Sequence, residues 1–172
     1  MRTLLHELQN RITRREIADR YRTQGYFFSS TGGSPLSSVV GTTVLDIIED
    51  EQLCTRATDI GDRLLMRLRS IADRQGMEPI GDVRGLGAMV AFELVKDRAT
   101  KETFDPALKL NARIKKHAFE GGLICYPGGA TADGVRGDHV LLAPPFIIND
   151  EQLDELVDKL GDAVDRSLGE IT

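Results

Sequence analysis

The sequence predicts an α+β fold: a small, mainly antiparallel sheet covered on one face by helices. Three observations carry this. Apolar residues keep helical spacing from Leu36 to Ile71, the period turns strand-like between Gly76 and Ile80, and it returns to helical at Asp105 and again after Asn149. A chain of 172 residues is long enough for one ordinary domain with a real core.

Residues 1–22 can form a helix with Leu5, Leu8 and Ile12 on one stripe. This stretch is basic in an acidic chain, so residues 1–25 are expected to be a separate N-terminal helical segment and residues 26–172 the packed domain. The run Gly25–Ser34, GYFFSSTGGS, is rich in turn formers. Ser34 then supplies an N-cap, and Pro35 takes the first helical position, where its missing N–H costs nothing. Leu36, Val40, Thr43, Val44, Ile47 and Ile48 carry the helix to about Glu49. A second helix after Asp50 has Leu53, Ala57, Ile60, Leu64, Leu68 and Ile71 on its buried stripe and is expected to end at Gly76. Ile80–Val83 and Met89–Leu94 read as a strand hairpin turning through Gly85 and Gly87. Asp105 and Pro106 open a third helix that runs to Gly121. Leu123–Tyr126 and His139–Leu142 are two short strands separated by a glycine-rich loop. Asn149 or Asp150 caps a last helix with Leu153, Leu156, Val157, Leu160, Val164 and Leu168 facing inward.

Composition narrows the function. A net charge of −5 argues against nucleic acid as a partner, because neutralising phosphates needs a basic surface. The absence of tryptophan and the low aromatic content give no base-stacking platform. No apolar run approaches the roughly 18 residues that cross a bilayer. The first residues, MRTLLHELQNRITRRE, lack the apolar core and cleavage site of a secretory signal, and Glu7 and Glu16 count against a mitochondrial address. Cys54 and Cys125 lie in unrelated segments and form neither a metal pair nor a disulfide framework, so a cytoplasmic location is expected.

Several residues could carry chemistry. Ser29, Ser30 and Thr31, with Gly32 and Gly33, precede a helix start, where exposed amides and hydroxyls can cradle a phosphate; the alternative is an ordinary capped loop. No P-loop lysine follows, which excludes a nucleotide-triphosphate site. Gly85-Leu86-Gly87 lacks the third glycine of a dinucleotide loop and reads as a hairpin turn. Arg84 beside it could bind a carboxylate or pair with a neighbouring acid. The loop from Pro127 to Asp138, PGGATADGVRGD, carries one cation, Arg136, either a clamp for an acidic substrate or a solvated loop charge. Asp133, Asp138 and His139 match no metal-ligand template, so no metal is expected. His6 and His117 read as surface helix residues, and no Ser–His–acid triad declares itself.

Four blocks, in this order and at these distances, resemble the class III aminotransferases, which are fold type I pyridoxal-phosphate enzymes. They are ITRREIADRYRTQGYFFSSTGGSPLSS, LDIIEDEQLCTRATDIGDRLLMRL, IGDVRGLGAMVAFELVKDRATKE and GDHVLLAPPFIINDEQLDELVDKL, spanning residues 12–168. The resemblance implies the C-terminal small domain of such an enzyme. It implies pyridoxal 5'-phosphate as the cofactor of the complete enzyme, a homo-oligomer, and small-molecule amine and keto-acid substrates. In the family, a hydroxyl residue before the G-x-P-L helix start binds the cofactor phosphate in the neighbouring subunit's site. Aligning on Gly33, Ser34, Pro35 and Leu36 places Ser30 there, flanked by Ser29 and Thr31, and this favours the cradle.

Many members carry an arginine two residues before the A-P-P turn to bind the substrate α-carboxylate; here that residue is Leu141. This points to an amine or ω-amino-acid donor with a keto acid such as pyruvate as acceptor, and to Arg136 as the loop arginine for a substrate carboxylate. The family's Schiff-base lysine lies in the large domain, and residues 1–10, MRTLLHELQN, contain no lysine. No catalytic residue is therefore expected in this chain, which is expected to be inactive alone. The alternatives are a decarboxylase or lyase of the same fold, or a non-catalytic stand-alone binding or assembly domain.

Overall fold

The computed structural model describes residues 15, 16, 19 and 34–171. The chain divides into two compact units, Met1–Leu53 and Cys54–Thr172. In the first unit the expected N-terminal helix falls largely outside the described residues, although 15, 16 and 19 are helical. The unit's described helix is α1, Pro35–Asp50, with no buried residue. It starts as the sequence requires: Ser34 is extended, its side chain accepts from the Ser37 N–H at 3.1 Å, and Pro35 fills the first turn.

The second unit holds the sheet and three longer helices among the described residues: α2 (Leu53–Ala72), α3 (Leu110–Glu120) and α4 (Asp150–Gly169). Strands β1 (Ile80–Leu86), β2 (Met89–Leu94), β3 (Tyr126–Gly128) and β4 (Asp138–Leu142) form one sheet in the order β1-β2-β4-β3. Every neighbouring pair is antiparallel. The predicted α+β class, with a small antiparallel sheet, is what forms.

Period-2 alternation decides which face is covered. Val90, Phe92 and Leu94 of β2 are buried, as are their register partners Leu142, Val140 and Asp138 on β4. Onto this face pack Ile60, Leu64, Leu68 and Ile71 of α2, Leu110 and Ile114 of α3, and Leu153, Val157, Leu160, Val164 and Leu168 of α4. The other face presents a row made of Arg84, Ala91, Leu141 and Tyr126, none of them buried.

Four local expectations need correction. The second helix ends at Ala72 rather than Gly76; Gly76, at φ +88°, lies in the turn that leads into Met77. The hairpin strands run further than expected, to a two-residue turn at Gly87 and Ala88, with Gly87 at the positive φ that glycine tolerates best. The third helix is broken. Asp105 caps a 3-10 turn at Pro106–Leu108, Lys109 adopts φ +51°, and the α-helix restarts at Leu110. Pairing in β3 begins only at Tyr126, because its partners on β4 are Leu141, Val140 and His139.

His117 is also not a surface residue. Only 4% of its side chain is exposed; Nε2 lies 2.8 Å from Glu170 Oε1 at the end of α4, and Arg113 donates to the other Glu170 oxygen at 2.5 Å. Those contacts, led by Arg113, hold the Glu170 carboxyl below the ordinary carboxylate range. They join α3 to the C-terminus of α4 through groups far apart in sequence.

Candidate functional site

The loop between β3 and β4 carries Arg136. Its closure is local: the Ala132 N–H donates to the Arg136 carbonyl at 2.9 Å, and the Gly134 N–H to the Ala130 carbonyl at 3.2 Å. Asp133 organises the tip. Its Oδ1 accepts the backbone N–H groups of Val135 (3.0 Å) and Arg136 (2.7 Å), and its Oδ2 accepts Arg136 Nε at 2.7 Å. These bonds, with the Arg136 amide first and its guanidinium second, pull the Asp133 carboxyl down to about 2. At the loop's base, Thr131 Oγ1 and His139 Nδ1 are 2.6 Å apart.

Arg136 remains 62% exposed and lines a cavity of about 710 Å³ with Lys96, Lys101, Glu102, Phe104 and Ala132. Lys96 bonds Glu102, another lining residue, at 2.7 Å, which keeps the ammonium pKa above its ordinary value. Chemically, the arrangement offers a planar donor fork at a cavity mouth, suited to a carboxylate.

The other sequence candidates separate clearly. Arg84 pairs with acids, donating to Asp82 at 2.6 Å and to Glu93. Asp133, Asp138 and His139 point to different partners, and no group of three metal-binding side chains occurs among the described residues. Asp138 has a structural task that sequence reasoning missed. It is nearly buried and accepts the Asn111 N–H at 3.2 Å in the first turn of α3, whose N-cap residue Lys109 provides no side-chain cap. Burial raises its carboxyl pKa. Ser29, Ser30 and Thr31 lie outside the described residues.

A cofactor attached as a Schiff base needs an amine that is easily deprotonated, which means a desolvated one. The chain's lysines are Lys96, Lys101, Lys109, Lys115, Lys116 and Lys159. None is buried. Lys96 is paired in the opposite sense, and Lys159 bonds Glu155 at 2.7 Å. These residues do not fit covalent attachment of a pyridoxal group.

Comparison with known proteins gives a consistent result. The family model described as aminotransferase class-III matches residues 7–164. An uncharacterised aminotransferase of Schizosaccharomyces pombe is 41% identical over 130 residues, which is 76% of this chain and 28% of that protein. A leucine/methionine racemase of Thermococcus litoralis is 36% identical over 154 residues, 89% of this chain and 32% of that one. A solved structure of a PLP-bound aminotransferase mutant from Vibrio fluvialis superimposes with a TM-score of 0.74 at 33% identity, covering 91% of this chain and 32% of that one. The chain thus spans about a third of the length of the relatives it matches. With a match along nearly its whole length and the same sheet-and-helix architecture, this chain belongs to the class III aminotransferases.

Proposed function

We propose that the chain is the C-terminal small domain, from about residue 26 onward, of a pyridoxal-phosphate-dependent transaminase that moves an amino group from an amine or ω-amino acid to a keto acid such as pyruvate. The observation that carries this is the pairing of two features: an exposed Arg136 fork at a cavity mouth, and Leu141 in the position two residues before the A-P-P turn. A fixed α-carboxylate arginine is replaced by leucine, and the available cation sits on a loop. A substrate carboxylate then meets Arg136, while an amine without a carboxylate meets the apolar part of the wall.

In the complete enzyme the cofactor supplies the electron sink for bond breaking next to the amino group. This chain's share is binding and positioning. Arg136 holds a carboxylate. Ser30, with Ser29 and Thr31, donates to the cofactor phosphate of a neighbouring subunit in a homo-oligomer. The lysines of this chain do not take the proton, since none of them has the required environment.

The test is reconstitution. The chain alone should show neither transaminase activity nor the absorbance of a lysine-bound cofactor. Adding a separately expressed lysine-bearing remainder of a class III enzyme should restore turnover with pyruvate, and Ser30→Ala should then weaken cofactor retention. A stable, reducible, stoichiometric cofactor adduct on this chain alone, with turnover, would overturn the reading. A second reading, a racemase or lyase on the same fold, draws support from the 36% identity to a leucine/methionine racemase and the 30% identity to a protein named ethanolamine-phosphate phospho-lyase homolog 1. Product analysis of the reconstituted enzyme separates the two.

A further inference from the structure

We propose that Asp133 is the positioning residue of the Arg136 clamp: it holds the guanidinium by its Nε edge and leaves the terminal edge for a ligand carboxylate at the cavity that Arg136 lines. This rests on the reading of Arg136 as a carboxylate contact and adds what sets its geometry.

The shape of the guanidinium is what makes such a division of labour available. Arginine carries its N–H groups in a rigid plane, and two of its edges can each take a carboxylate bidentately: the Nε side and the terminal Nη1/Nη2 side. Asp133 takes the Nε side, through one oxygen at 2.7 Å. Among the described residues no hydrogen bond uses Nη1 or Nη2 of Arg136. A second carboxylate can therefore dock end-on without displacing the first.

Asp133 is itself fixed. Its other oxygen accepts two backbone N–H groups, from Val135 and Arg136, which pins the carboxylate to the loop it serves. The loop is in turn tied at its base by Thr131 and His139. The chain of restraint runs from β4 through the loop to the guanidinium, so the side chain rotamer is chosen before a ligand arrives. An unrestrained arginine would lose that freedom on binding and bind more weakly. The pair also explains how one arginine serves two kinds of substrate. When the ligand has no carboxylate, Asp133 already balances the guanidinium charge, and no unpaired cation faces an apolar group.

The test uses the full chain, labelled with nitrogen-15, and pyruvate as the probe, with uncharged pyruvamide as control. Asp133→Asn is the informative variant because it retains an acceptor for the two backbone N–H groups while removing the charge at the guanidinium. The expected result has three parts. Pyruvate, and not pyruvamide, shifts the Arg136 side-chain resonances. Arg136→Met abolishes the response. Asp133→Asn leaves the sheet amides unchanged, speeds water exchange of the Arg136 Nε–H and weakens pyruvate binding by about two- to tenfold.

If Arg136→Met binds pyruvate like wild type, or wild type gives no response, the carboxylate reading of Arg136 fails and the proposal falls with it. If Arg136→Met loses binding while Asp133→Asn binds equally or more tightly, Arg136 stands and Asp133 is a competitor rather than a positioner. Should Asp133→Asn disturb the loop amides, Asp133→Ser, which retains the short backbone-capping oxygen, takes its place with the same expected loss of affinity and the same overturning result.

Discussion

Asp133 and Asp138 belong to one loop-and-strand segment, yet their surroundings push them in opposite directions. Asp133 is held down to about 2 by the Arg136 amide and guanidinium. A carboxyl whose folded pKa lies below the unfolded value of about 3.9 contributes stability above that value and loses it as pH falls toward the folded one. A carbon-13 titration should therefore place the Asp133 midpoint near 2, with the loop amides of Val135 and Arg136 shifting over the same acid window. A midpoint near the unfolded value would mean that the loop ties are not formed in solution.

Asp138 has the reverse sign. Burial raises its pKa, so the folded state is penalised as pH climbs from the unfolded value through the raised one. Its carbonyl-like role toward the Asn111 N–H does not need the charge. Asp138→Asn should match or exceed wild-type stability at pH 7 in urea unfolding. Asp138→Ala, which leaves the Asn111 N–H without its acceptor, should be about 1 kcal/mol less stable than the Asn variant.

At the scale of elements, glycines separate crowded helix faces from open ones. A Cβ on Gly61 of α2 would stand 2.0 Å from the Gly87 carbonyl oxygen, in the tip of the β1–β2 hairpin. The helix approaches that turn backbone to backbone, so the clash falls on rigid atoms. Gly61→Ala should cost at least the ~1–3 kcal/mol typical of overpacking. Gly169, at the end of α4, has nothing within 4 Å of the place a methyl group would take, and Gly169→Ala should stabilise by roughly 0.5–1 kcal/mol. Equal effects at the two sites would contradict the packing of α2 on the hairpin.

Helix starts act at the same scale. Asn149 and Gln152 form a reciprocal capping box, with bonds of 2.8 and 3.1 Å. Asn149→Ala should lower stability by about 1 kcal/mol. Beside that cap, Arg56 of α2 donates to the Phe146 carbonyl at 3.1 Å and to the Ile148 carbonyl, fixing the turn that leads from β4 into α4.

For the whole molecule, the decisive feature is a sheet covered on one face. In the second unit Leu86, Met89, Ile124, Tyr126, Phe146 and Ile147 are exposed large apolar residues. Single exposed residues are ordinary, but this many on one small unit mark surface suited to another protein surface. The chain also spans only about a third of its relatives' length. Alone, it should bind a hydrophobic dye and show concentration-dependent mass in sedimentation, and the lysine-bearing remainder of a family enzyme should suppress both. A compact monomer that binds no dye would count against this.

The sequence by itself determined what depends on neighbours along the chain. Helical and strand periods located each of these elements in order, Ser34 and Asn149 announced two helix starts, and Gly87 marked the hairpin turn. The four family blocks are likewise patterns of local residues, and the family match over residues 7–164 follows them. Arg136 was legible as the lone cation of a glycine-rich loop, and Arg84 as a possible partner of an acid.

Tertiary structure decided what depends on residues brought together from a distance. His117 carries a surface-like helical position in sequence, but Glu170 from the end of α4 arrives beside it and the packed helices bury it. Asp138 gives no local sign of being a cap, because the N–H it serves belongs to Asn111 on another element. The break at Lys109 left no glycine or proline signature at that position; the backbone turns there so that α3 can restart under the Asp138 carboxylate. Gly61 reads as an ordinary helix glycine until the Gly87 turn lies against it. Caps, turns and periods are set by short-range sterics and hydrogen bonding, which a linear sequence displays. Burial, trans-capping and close backbone approach are set by which surfaces pack, and only the folded chain fixes that.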